Sequence, residues 1–140
     1  MTRKQAREKL FELIYEMNFQ PELDASELLK NANDHEALNE PYIINSFAAL
    51  QHTLPAVDDQ IKAHIKGWNF SRISAVSLAI LRLCIFEILY NDDVPDNVAM
   101  NEAIELAKRF DHDDAPAFIN GVVNAVAQEK RNHDAVLPGN

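Results

Sequence analysis

The residues of this 140-residue chain with the most chemistry to offer are five histidines, one cysteine and an acidic run at Asp111, Asp113 and Asp114. The histidines, His35, His52, His64, His112 and His133, are scattered. None makes the paired helical spacing of a zinc site, and a single thiol gives no thiolate cluster, so no metal is expected. The acidic run lacks the ligand spacing and the glycine of a calcium loop; it reads as a capped helix start, where carboxylates belong. Three scattered glycines exclude a phosphate-cradling loop and argue against nucleotide hydrolysis. Cys84 lies in the most apolar stretch and reads as a small core hydrophobe. The sequence therefore predicts no enzyme and no cofactor.

The cations carry more information. Thirteen Lys and Arg against 22 Asp and Glu give a formal charge of -9, which argues against non-specific nucleic-acid binding. The charge is unevenly placed, however. In the first ten residues Arg3, Lys4, Arg7 and Lys9 oppose only Glu8, a local +3, while the other nine cations face 21 acids, a balance of -12. Cations at a helix start oppose its dipole and are usually just solvated. A phosphate-binding patch would explain their presence, and Tyr15 lies two to three turns further on as a ring for base stacking.

Helices must position these groups. Hydrophobic residues make up 47% and aromatics 8% of the chain, and alternating β-branched runs are scarce, so the fold class is all-α, and the pattern along the chain gives about seven helices. Ala6, Leu10, Leu13, Ile14 and Met17 form the stripe of helix 1, with Phe11, Tyr15 and Phe19 on a neighbouring strip. Asp24 and Glu27 cap a short second helix, and residues 31 to 40 read as a loop. Pro41 opens a third helix, and Thr53 with Pro55 restarts a fourth carrying Val57, Ile61, His64 and Ile65. After a break at Gly67 to Phe70, Ser71 or Ser74 caps a buried fifth helix. A sixth follows Pro95 and runs to Arg109; a seventh starts near Asp113 or Asp114.

Gly67 reads as the hinge between an N-terminal subdomain, 1–66, and a C-terminal one, 67–131, followed by a frayed tail, 132–140. The longest apolar stretch, Leu78 to Tyr90, is interrupted by Arg82 and Glu87 and falls short of the roughly 20 residues of a membrane span. Those two charges need partners such as Glu102, or an edge position, and a structural ion pair is the default. With no leader pattern and one cysteine, a cytoplasmic protein is expected.

Four stretches carry a resemblance: AREKLFELIY from Ala6, WNFSRISAVSLAILRLCIFEIL from Trp68, VPDNVAMNEAIELAKRF from Val94, and FINGVV from Phe118. In order and spacing they are similar to the NusB family of bacterial transcription antitermination factors. AILRL, VAxNEAIELAK and FxNGV are specific in combination. The resemblance implies two packed helical bundles without enzymatic activity. It also implies binding of the boxA element of nascent ribosomal RNA together with NusE, a ribosomal protein, in a complex that engages other antitermination factors and RNA polymerase. A basic partner would reconcile an acidic chain with an RNA target.

Position by position, the resemblance assigns Arg3, Lys4 and Arg7 to phosphates, and Tyr15 and Phe118 to unpaired bases. Asp114 matches an acidic position implicated in RNA or partner function, and Ser77 falls on the same face. Asn120 and Gly121 look structural. Glu87, Tyr90 and Glu105, on helices five and six, are expected to meet NusE. Departures from the family pattern are Ser77 and Leu78 in place of an acidic-then-basic pair, Ala117 in place of a basic residue, and Asp111 in place of a turn glycine. The loss of cations at Leu78 and Ala117 predicts weaker RNA affinity alone and greater dependence on NusE. Other readings are a protein-only helical scaffold and a fragment of an rRNA methyltransferase; a homodimer of the free chain is open.

Overall fold

The computed structural model describes residues 1–136 as seven α-helices and one 3-10 turn, with no strand among them. They are α1 (Arg3–Met17), α2 (Ala25–Ala32), α3 (His35–Leu38), α4 (Pro41–His64), α5 (Ala75–Tyr90), α6 (Asp96–Phe110) and α7 (Ala115–Val136), with the 3-10 turn at Phe70–Arg72 before α5. The all-α expectation holds.

Local chemistry sets the boundaries. Thr2 and Gln5 form a reciprocal capping box at α1, and Asp24 with Glu27 does the same at α2. Each pair satisfies two backbone donors that a helix start leaves free. Asn33 ends α2 in the left-handed conformation at φ 50°, one that Asn tolerates better than most residues. Ser74, rather than Ser71, caps α5 by accepting from the Ser77 N–H at 3.1 Å.

The expected third and fourth helices are one. α4 runs unbroken through Pro55. Pro55 is exposed, so water can take up the carbonyl its missing N–H leaves free. Ile43, Phe47 and Leu50 before it, and Val57 and Ile61 after it, are buried in the same core, and tertiary burial holds the two segments in line. The expected loop at 31–40 contains the single turn α3, capped by Asp34. α7 continues past residue 131 to Val136, so the tail expected to fray is helical over its first part; residues 137–140 lie outside the described ones.

α5 is the axis. Twelve consecutive residues, Ser77 to Ile88, are buried, because α1, α4, α6 and α7 all pack against this helix. Buried residues from both halves of the chain join in one hydrophobic cluster. Arg82 finds its partner in Asp58 of α4, not Glu102: Nε and Nη2 each donate to the carboxylate at 2.9 Å. Gly67 turns the chain between α4 and α5 at φ 76°. Nothing lies within 4 Å of where its Cβ would be, so the backbone conformation and not crowding favours glycine there.

Candidate nucleic-acid interface

The basic start of α1 is largely neutralised by the fold. Lys4 lies 3.6 Å from Glu102 of α6, and Lys9 lies 3.5 Å from Glu12 and 3.3 Å from Asp34. Arg3 is exposed and places its guanidinium 4.1 Å from the centre of the Tyr42 ring, a cation-π contact. Arg7, expected at the RNA surface, is only 4% exposed. Its Nε and Nη2 donate to Glu87 at 2.9 and 3.3 Å, and the Tyr42 hydroxyl donates to the same carboxylate at 2.8 Å.

Two expected assignments are corrected here. Arg7 is not placed to hold a phosphate, and Glu87, 1% exposed, is not placed to meet a partner protein. An apolar helix that carries one carboxylate inward must supply that charge with donors, and Arg7 and Tyr42 are those donors. Burial opposes the Arg7 charge, but the hydrogen bond and field of Glu87 outweigh it and hold the guanidinium pKa above its ordinary value. Burial, reinforced by the Glu87 charge, pushes the Tyr42 phenol far up.

The remaining expected contacts line two clefts, one between α1, α2 and the facing ends of α5 and α6, the other between the start of α5, the end of α6 and the start of α7. Glu8 of α1 and Arg109 of α6 pair through two hydrogen bonds of 3.0 and 2.9 Å. Phe11 and Phe110 lie behind them with ring centres 5.4 Å apart. Tyr15, half-buried and 5.0 Å from Phe19, lines a groove of about 520 Å³ with Phe11, Val76 and Phe110. One residue further along α5, the Ser77 hydroxyl donates to Asp111. That carboxylate also accepts the His112 N–H at 2.8 Å.

Asp111 therefore does something a glycine cannot. Its backbone is extended, at φ -120° and ψ 179°, a conformation that needs no glycine. Its side chain ties the start of α5 to the end of α6. Ser77 is buried beneath this bond, and its hydroxyl is committed to Asp111.

Ser77 and Asp111 also line a second cleft, which contains Asp114, Phe118, Arg72 and Trp68. Trp68 packs on Phe118 at 5.2 Å with the rings tilted 49°, yet it is 59% exposed. In the sequence, residues 67 to 70 mark a break between helices, and nothing there assigns this ring to the site. The signal was an aromatic in a polar turn, with no helical stripe to bury it. Asp114 is exposed.

The expected partner residues do not cluster. Tyr90 is exposed at the end of α5 beside Phe86, with ring centres 6.0 Å apart. Glu105 is exposed on α6 in a shallow crevice with Lys4, Glu8 and Arg109. Of the two positions where cations were expected to be lost, Leu78 is buried in α5 and Ala117 is exposed on α7. Among the described residues no His, Cys, Asp or Glu cluster suited to a metal occurs, and no helix is long and apolar enough to cross a membrane.

Comparison with known proteins gives one consistent result. The sequence model of the NusB family matches residues 4–128. The transcription antitermination protein NusB of Clostridium tetani is 34% identical over 152 positions, covering 92% of this chain and 99% of the relative. That of Natranaerobius thermophilus is 37% identical over 134 positions, covering 92% and 96%. The solved structure of NusB from T. maritima superposes with a TM-score of 0.80 at 26% identity, covering 96% of this chain and 98% of that one.

Proposed function

Because the chain belongs to the NusB family of transcription antitermination proteins, we propose that it binds the boxA element of nascent ribosomal RNA jointly with NusE. It acts as a non-enzymatic adaptor in the cytoplasm, and through NusE it joins other antitermination factors on RNA polymerase. The observation that carries this reading is a pair of clefts lined by consecutive residues at the start of α5 and the end of α6, one holding Tyr15 with Val76 and Phe110, the other holding Phe118 with Ser77 and Asp111. Rings half-open to solvent there suit unpaired bases, which single-stranded RNA recognition stacks on aromatic side chains. Arg3, exposed and over the Tyr42 ring, supplies positive potential at the start of α1, with Lys4, paired to Glu102, beside it. Tyr90 and Glu105 remain the proposed contacts to NusE.

Fluorescence anisotropy of a short boxA RNA tests this, titrated with this protein, with NusE and with both, against a scrambled RNA at fixed salt. The adaptor reading expects the mixture to bind boxA more tightly than either protein alone and to discriminate against the scramble. A protein-only scaffold is the second reading, favoured by the internal ion pairs of Lys4 and Lys9. It takes over if NusE associates with the chain but RNA affinity does not improve.

A further inference from the structure

One stretch of this acidic chain combines three cations with no acid. From Lys62 to Arg72 the sequence KAHIKGWNFSR has three cations, Lys62, Lys66 and Arg72, and no Asp or Glu, with Trp68 and Phe70 interleaved. Basic and aromatic residues alternating in this way suit single-stranded nucleic acid, which needs phosphate neutralisation and stacking surfaces together. The fold treats these cations differently from those of α1. Among the described residues Lys62, Lys66 and Arg72 have no acidic partner, whereas of the four cations of α1 only Arg3 lacks one, and Lys4, Arg7 and Lys9 are paired.

We infer that the segment joining α4 to α5 is an RNA contact in its own right: Trp68 is the stacking platform for an unpaired base, and Arg72 is the cation for the adjoining phosphate. This rests on the proposed RNA function and specifies where the RNA is held. The indole of Trp68 packs on Phe118 with ring centres 5.2 Å apart and the planes tilted 49°, a separation that leaves no room for a third ring between the two. Trp68 has Phe118 on one side and is otherwise largely open to solvent. A base therefore stacks on Trp68, and Phe118 serves as its backing ring. Arg72 is exposed and lines the same cleft. Gly67 and a hydrogen bond from the Trp68 N–H to the Ile65 carbonyl at 3.0 Å hold the turn that presents the ring. Lys62 is spent on Phe70, 4.9 Å from its ring centre, which steadies the 3-10 turn before α5.

Trp68 is the only tryptophan in the chain, so its emission reports its own contacts. The experiment titrates labelled boxA RNA with this protein and NusE, following RNA anisotropy and comparing tryptophan emission with a NusE-only control. It is run for wild type, Trp68→Ala, Trp68→Phe and Arg72→Ala. The expected results are quenching of Trp68 on binding and a loss of roughly 5- to 100-fold in affinity for Trp68→Ala, with most of it restored in Trp68→Phe. Arg72→Ala is expected to flatten the dependence of log affinity on log salt by about 0.7. Tight binding by wild type with unchanged Trp68 emission, and with both alanine variants at wild-type affinity, overturns this inference and leaves the RNA function standing. Failure of wild type to bind boxA even with NusE overturns both.

Discussion

Arg7 and Glu87, 80 positions apart, meet in the core with Nε donating to the carboxylate at 2.9 Å, and Tyr42 closes the group from α4. The triad joins α1, α4 and α5 at one point, and each member is buried. Among the described residues no buried side-chain polar atom lacks a hydrogen-bond partner.

Removing one partner should therefore cost far more than removing the pair. Glu87→Ala leaves the Arg7 charge buried and unanswered, and is expected to lower unfolding stability by about 3 to 5 kcal/mol. A Met at position 7 combined with a Leu at position 87 is expected to fall much closer to wild type. Urea melts of the two variants check this. Equal losses in both would show that the ion pair contributes little beyond packing.

Tyr42 sets an alkaline limit. Its folded pKa is raised by burial and by Glu87, above the ordinary value of 10.0. The unfolded chain therefore releases this proton first, and stability present below pH 10 declines as the pH rises above it. Tyr42→Phe is expected to flatten that decline. The check is a set of urea midpoints from pH 8 to 11 for both proteins, and parallel curves would remove Tyr42 as the cause.

Cys84 is buried, and burial pushes its thiol well up from the ordinary range. Thiolate is the reactive form. The native protein is thus expected to resist an aromatic disulfide reagent, and one thiol equivalent to appear only in denaturant. Fast labelling of the native state would mean that α5 opens locally.

Asp114 stands beside the proposed base platform as an exposed carboxylate, where it repels phosphate. Asp114→Asn is expected to raise RNA affinity several-fold at low salt, with the gain shrinking as salt screens the charge. Lower affinity in the variant would instead make this carboxylate a direct acceptor from a base.

How much of this was legible in the sequence depended on the range of the force concerned. The cap at Asp24 and the burial of α5 follow from local spacing, which narrows the cap of α5 to Ser71 or Ser74 without choosing between them. Pro55 misled because its local penalty is outweighed by Phe47, Leu50, Val57 and Ile61, whose shared burial is a tertiary fact. Arg7 misled for a related reason. A cation near a chain start looks solvated until Glu87, eighty residues on, is brought beneath it. Asp58 as the partner of Arg82 was equally invisible. Along the second cleft, Ser77, Asp114 and Phe118 were named, but Trp68 was not, since nothing in a helical stripe marks a ring placed by a turn.

The burial of α5 on every side also bears on the order of synthesis. α1 to α4 leave the ribosome before the helix that α1 and α4 pack against, and Arg7 must wait for Glu87 to be translated. The N-terminal half thus emerges with its apolar faces uncovered, and Ser77 to Ile88 is the segment whose arrival lets them close. A nascent chain of which only the part before Ser77 has emerged therefore exposes apolar surface of the kind chaperones cover.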